Sequence, residues 1–102
     1  MIAENIMNNY FVYIISNSNN TVLYIWVTSD LVKRIWQHKN KEMPWFSKEY
    51  NLNKLVYYEM HNDISEAILR EKQLKRWKRE WKDNLIDKIN VNRNDLYEGL
   101  LG

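Results

Sequence analysis

Tyr10-Phe11-Val12-Tyr13-Ile14-Ile15-Ser16, the link Asn17-Ser18-Asn19-Asn20, and then Thr21-Val22-Leu23-Tyr24-Ile25-Trp26-Val27 decide how this chain folds. Both outer runs are β-branched and aromatic, residue types that suit a pleated, half-buried surface. The four-residue link is rich in asparagine, which tolerates positive φ and turns the chain. The stretch predicts a hairpin with strands over 10–16 and 21–27.

Working outward, Thr28 or Ser29 is a candidate N-cap with Asp30 well placed in a first helical turn. The helix runs through about Lys39, with Leu31, Ile35 and His38 as its inner stripe and Arg34 beside it. Residues 40–53, which include the single proline Pro44, read as a loop. Lys54 to Met60 alternates like a third strand, on which Tyr57 and Tyr58 pack and His61 is a structural residue at the end. Asp63 with Glu66 makes a capping-box signal for a second helix, with Ile64, Ile68, Leu74 and Trp77 inward and Glu71 in the same stripe. A charged group on an inner face is rare unless it is paired or functional. A third helix over about Arg79 to Lys88 uses Trp81, Leu85, Ile86 and Ile89 as apolar positions. The order β-β-α-β-α-α predicts an α+β fold, a three-stranded antiparallel sheet flanked by helices. Residues 1–9 and 91–102 read as a flexible N-terminus and a C-terminal tail around a single domain at 10–90.

The chain has 102 residues, 45% of them hydrophobic, enough for one modest core. It has no cysteine, which excludes disulfides, thiolate zinc sites and cysteine nucleophiles. No apolar run reaches the roughly 18 residues of a membrane span, and the first nine residues lack the basic start of a secretory signal. A cytoplasmic protein without a membrane or an obligate protein partner is the expectation. The net charge is only +2, but the interval from Arg70 to Lys82 holds seven bases against two acids. Such a block is either a solvated helix face or a surface that displaces counterions from a polyanion; the candidates, with Lys33, are Lys72, Lys75, Arg76, Lys78 and Arg79. Two strand tyrosines, an arginine, a histidine and an acid form a set able to cut a phosphodiester by proton transfer, charge stabilisation and cation binding.

The order of these residues resembles the GIY-YIG nuclease superfamily, specifically its small single-domain bacterial branch. Phe11-Val12-Tyr13 stands at the first motif and Tyr24-Ile25-Trp26 at the second. Ser29 to His38 matches the helix that follows, and Phe46 to Tyr50, Lys54 to Glu59 and Glu66 to Trp77 match later segments. The resemblance implies a metal-dependent DNA endonuclease acting on branched or single-stranded DNA. It places catalytic roles on Tyr13, Tyr24, Arg34 and His38 and the metal ligand on Glu71. One Mg2+ or Mn2+ ion is implied, and a single carboxylate suits magnesium, which keeps most of its shell as water.

Trp26 stands in place of the second motif's glycine, and Trp45 where the family commonly has glycine before Phe46. A tryptophan at position 26 either fills the groove meant for a phosphodiester or offers a base a stacking surface. The alternative readings are therefore a catalytically impaired nucleic-acid-binding module, and a protein-interaction module using Trp36, Trp45 and Trp81. The same exchange at two motif positions motivates a hypothesis about the gene: it uses UGA for glycine, and the codon has been read as tryptophan. The many Asn, Lys and Ile residues fit an AT-rich gene. UGA is expected at codons 26 and 45, and any other codon there, found by sequencing the gene, sinks the idea.

Overall fold

The computed structural model describes residues 9–43 and 45–102. The expected fraying of residues 1–8 and the loop position of Pro44 lie outside these. The chain order is β1 (Tyr10–Ser16), β2 (Leu23–Thr28), α1 (Leu31–Lys39), α2 (Trp45–Glu49), β3 (Lys54–His61), α3 (Ile64–Arg76), α4 (Arg79–Asp87) and α5 (Tyr97–Leu100). The three strands form one antiparallel sheet in the order β2-β1-β3, so the predicted α+β architecture is the one observed.

The centre of the sheet is β1, paired on both edges. Its residues from Val12 to Ser16 are all buried, which a continuous apolar run allows and an alternating one does not. Val12 and Ile14 face one layer with Ile25, Val56, Tyr57, Ala67, Leu74 and Ile86. Tyr13 and Ile15 face the other, with Leu31, Ile35, Leu52 and Leu55. The two faces of one strand thus feed two cores. A register shift between Ile14 and Ile15 interrupts the β1–β3 ladder. In the hairpin turn the Asn17 carboxamide oxygen accepts from the Thr21 and Val22 amides at 2.9 and 3.0 Å, and Asn20 takes φ of 61°. The turn chemistry is the one the asparagines predict.

Several local expectations change. The α1 cap is Asp30, one or two residues later than expected: its carboxylate accepts from Lys33 N at 3.1 Å. Residues 40–53 are not all loop, since α2 forms within them. Asp63 does cap α3 by accepting from Glu66 N. Yet the inner face of α3 is Ala67 and Leu74, while Ile64 and Ile68 are exposed. Ala67 and Leu74, seven residues and two turns apart, mark the buried line, and Ile64 and Ile68 fall to one side of it. On α4, Ile86 is buried and Leu85 half-buried, but Trp81 is exposed, as is Ile89 just beyond the helix.

The polar C-terminal stretch is docked rather than hanging free as a tail. Leu96 N donates to Leu55 O at 2.8 Å, extending the edge of β3. The Asp95 carboxylate accepts from Leu55 N and Tyr97 N and pairs with Lys39. Leu96, Tyr97 and Leu100 pack against the core that holds Tyr13. The hinge of this return is Asn90, buried, whose amide donates to Val56 O at 3.0 Å and Asn94 O at 2.8 Å and whose oxygen accepts from Asn94 N at 2.9 Å. Removing it strands a buried carbonyl. Asn90→Ala is expected to cost roughly 2–3 kcal/mol in urea unfolding, from lost bonds and an unsatisfied acceptor; a change below about 0.5 kcal/mol would show the return is not held this way.

Candidate active site

The site begins on β1. Alternation sends Tyr13 to the face covered by α1, and it pairs across the hairpin with Trp26. On α1 the inward stripe brings His38 under the sheet, 3% exposed. The phenol oxygen of Tyr13 and Nε2 of His38 are 2.9 Å apart. The other ring nitrogen, Nδ1, lies 2.9 Å from Oγ of Ser47, a 2% exposed residue of α2. A chain of three buried polar side chains, Tyr13–His38–Ser47, thus links the central strand to both helices.

Electrostatics set its protonation. Burial, reinforced by the Arg34 cation, lowers the His38 pKa to about 4, so the ring is neutral near pH 7. Burial pushes the Tyr13 phenol well above its ordinary value; the charge and hydrogen bond of Arg34 oppose this, and Glu71 adds to it. A buried, firmly protonated phenol needs an acceptor, and its partner among the described residues is His38. The consistent assignment has Tyr13 donating to Nε2 and Nδ1–H donating to Ser47. That neutral ring can still accept one proton.

Tyr13 thus feels Arg34 of α1 directly, and Glu71 of α3 only as the smallest of these influences. Glu71 has a side chain 16% exposed, and Oε2 is 3.2 Å from Nζ of Lys75. The ion pair with Lys75 is therefore present, and it leaves Oε1 without a hydrogen bond among the described residues. No group of three His, Cys, Asp or Glu side chains forms a cage among those residues. The donor set, one carboxylate backed by a lysine, fits a hard divalent ion that retains its water and does not fit zinc or a carboxylate-rich calcium site.

Tyr24 lies two residues before Trp26 on the same face, with ring centroids 6.5 Å apart, and it is equally near Tyr50. Trp26 stacks on His38 at 4.9 Å and 29°, and meets Tyr13 edge-on at 6.4 Å. It covers the Tyr13–His38 pair. Of the two groove-filling and stacking expectations, the first describes its position. Lys33 is exposed beside Arg34, at a recess of about 310 Å³ that also includes Thr28 and Gln37. Lys72, Arg76 and Lys78 are exposed and form no ion pair among the described residues. Arg79 differs: it donates to Asp83 and to the carbonyls of Asn20 and Thr21, tying α4 to the hairpin turn. Three of its five N–H donors serve the framework.

The description "GIY-YIG catalytic domain" matches residues 9–84, the interval holding every group of this cluster. The chain belongs to the GIY-YIG family. It is 34% identical over 80 residues to the UPF0213 protein SSP2268 of Staphylococcus saprophyticus, covering 78% of this chain and 96% of that one. A UPF0213 protein of Staphylococcus aureus matches to the same extent. In structure it is similar to the UPF0213 protein BH0048 from Bacillus halodurans, with a TM-score of 0.55 at 21% identity, covering 88% and 95% of the two chains. The names of these relatives specify no reaction, so family membership supports a nuclease-type domain with DNA as the substrate class and leaves the chemistry to the residues.

Sequence reading assigned no role to Ser47 or Asn90. Ser47 lies within the matched segment Phe46 to Tyr50, but a lone serine in a supposed loop carries no signal until α2 turns it inward. Conversely, His61 is not isolated: it sits 2.8 Å from Glu59, which also binds Arg70 and Tyr57.

The lowered His38 pKa makes a pH test. The folded state binds fewer protons than the unfolded one between about pH 4 and 6.5. Stability is therefore full above 6.5 and falls as pH drops through that window, by an amount on the order of 3 kcal/mol. His38→Gln is expected to flatten this slope in denaturant melts at pH 4.5 to 7. An unchanged slope would mean that His38 is not the group responsible.

Proposed function

We propose that this chain is a divalent-metal-dependent DNA endonuclease that hydrolyses phosphodiesters in branched or single-stranded DNA. The observation that carries the reading is the Tyr13–His38 hydrogen bond with Arg34 and Glu71 beside it. Tyr24, on the same face, is half-buried where Tyr13 is fully buried, so it is the more accessible of the two tyrosines.

Each residue has a physical role. Glu71 would hold the magnesium or manganese ion, which supplies Lewis-acid stabilisation of the phosphate when bound. Arg34 places a permanent positive charge where the phosphate gains negative charge. Tyr13, as a neutral phenol, is a poor base alone. It can take a proton from an attacking water only as it passes its own to Nε2 of His38, which the neutral ring can accept. Ser47 orients that ring through Nδ1. Lys33, Lys72, Arg76 and Lys78 supply the sequence-independent attraction for the DNA backbone. Lys75 steadies Glu71. The cytoplasm, where magnesium and DNA meet, is the compartment this chemistry fits.

One observation favours a second reading. Trp26 lies over the Tyr13–His38 pair, and both of those residues are buried. A binding module with a blocked centre follows if Trp26 is native, and a glycine there would open the face of His38.

Cleavage of labelled single-stranded, duplex and branched DNA with magnesium or manganese separates the two readings. The expected order is Trp26→Gly fastest, the chain as written slower, and Glu71→Ala slower than either by about 10²–10³-fold. Silence from the first two in folded, DNA-binding protein would favour the binding module. Equal rates for Glu71→Ala and its parent would remove Glu71 from the metal site.

A further inference from the structure

A groove of about 800 Å³ runs along a flank of α3, from His61 at the end of β3 to Trp81 on α4; six of its lining residues are His61, Arg70, Lys72, Arg76, Trp77 and Trp81. It does not include Tyr13, His38 or Glu71. Its aromatic wall is ordered. The Trp77 and Trp81 rings are 5.9 Å apart at 82°, and the Arg70 guanidinium lies 5.3 Å from the centre of the Trp77 ring. Arg70 is itself held by Glu59 at 2.8 Å, and Glu59 by Tyr57 and His61. Trp77 is thus clamped from the protein side, while Trp81 remains 50% exposed.

The charges around this wall are unequal. Glu59 neutralises Arg70, but Lys72 and Arg76 have no ion pair among the described residues, and Glu66 is the acid that faces them. Exposed indole beside unpaired cations is the combination that binds a nucleic-acid strand without base pairing. The ring takes the face of an unstacked base, and the cations take the phosphates on either side. A paired duplex hides its base faces and gains only the second contribution.

We infer that this α3–α4 groove is a stacking site for a single-stranded arm of DNA, with Trp81 as the base platform and Lys72 and Arg76 as the phosphate contacts. The inference rests on the nuclease reading for its biological meaning but not for its chemistry. Glu71 is the chain neighbour of Arg70 and Lys72, yet it points to the other flank of α3. One helix, about 10–12 Å across, therefore separates the cleavage centre from the groove. A strand that leaves a duplex at the cleavage centre crosses that helix to reach Trp81. Substrates with an unpaired arm are thereby favoured over blunt duplexes.

The test uses the full chain, a dye-labelled single-stranded oligothymidine and a blunt duplex, without divalent metal. Anisotropy gives the affinities, and intrinsic tryptophan fluorescence reports stacking. Trp81→Ala is expected to weaken oligothymidine binding about tenfold and to reduce the quenching, while duplex affinity stays within twofold. Trp81→Phe keeps a ring and should restore most of the binding. The doubly substituted Lys72→Ala, Arg76→Ala protein should lose affinity for both DNAs and show a shallower salt dependence. Trp81 is exposed, so these variants are expected to fold, and circular dichroism checks that. Single-strand binding by Trp81→Ala equal to the parent's overturns the inference. So does an equal loss for single strand and duplex, or the absence of saturable quenching, which would turn the groove towards a protein partner. Because no cleavage is read, a failed nuclease assay leaves this outcome standing, and a failed groove leaves the nuclease assay standing.

Discussion

The constraint on which the rest of the structure depends is that β1 is buried on both faces while carrying a tyrosine at its centre. Apolar residues on a doubly covered strand are simply packed. A phenol hydroxyl there has to be given a partner, because an unpaired buried hydroxyl costs on the order of 1–3 kcal/mol. His38 is that partner, and Ser47 is the partner of His38. The need to satisfy one hydroxyl therefore reaches through α1 to α2, and the burial it entails keeps the imidazole neutral down to about pH 4, where an imidazole in water is charged. A structural requirement and a chemically useful proton acceptor are here the same hydrogen bond.

That economy has a cost in access. The burial that holds His38 neutral also keeps water from Tyr13, and Trp26 adds a ring directly on the imidazole. Indole area against imidazole gains stacking and burial together. A glycine at position 26 forgoes that contact and exposes the pair. Position 26 thus trades stability against access, and which side the protein takes depends on the residue its gene encodes there.

Much of the fold was legible in the sequence because it is written in short-range chemistry. β-branched and aromatic runs mark β1 and β2, an alternating one marks β3, asparagines mark the hairpin turn, and the 3.6-residue stripe of α1 put His38 inward. The parts that were not legible depend on long-range packing. Ile64 and Ile68 look like an inner face, but the residues of α3 that are buried are Ala67 and Leu74. The polar stretch after Asn90 looks like a tail until one buried asparagine and one aspartate reach Val56 and Leu55, some 35 to 40 residues away. Arg79 reads as one more base in a basic run, and only the nearness of the Asn20 and Thr21 carbonyls shows it to be a tie. Of the site, the inward stripe of α1 brings His38 to the Tyr13 hydroxyl, whereas Ser47 could be found only once a supposed loop proved to be a helix.

Charge counting along the chain treats Arg70 to Lys82 as one block, but α3 divides it by direction. Ala67 and Leu74 fix which side of the helix faces the sheet. Once that side is fixed, Glu71 with Lys75 falls on the flank towards Tyr13, and Lys72 with Arg76 falls on the flank towards α4. Arg70, beside the inner face on the side opposite Glu71, is drawn to Glu59 and stacks on Trp77. Seven bases therefore do at least three different things: they steady a carboxylate, clamp an aromatic wall, and remain free for phosphate. The net charge of the segment describes only the last of these, and the small apolar residues on the helix's inner face determine which bases belong to it.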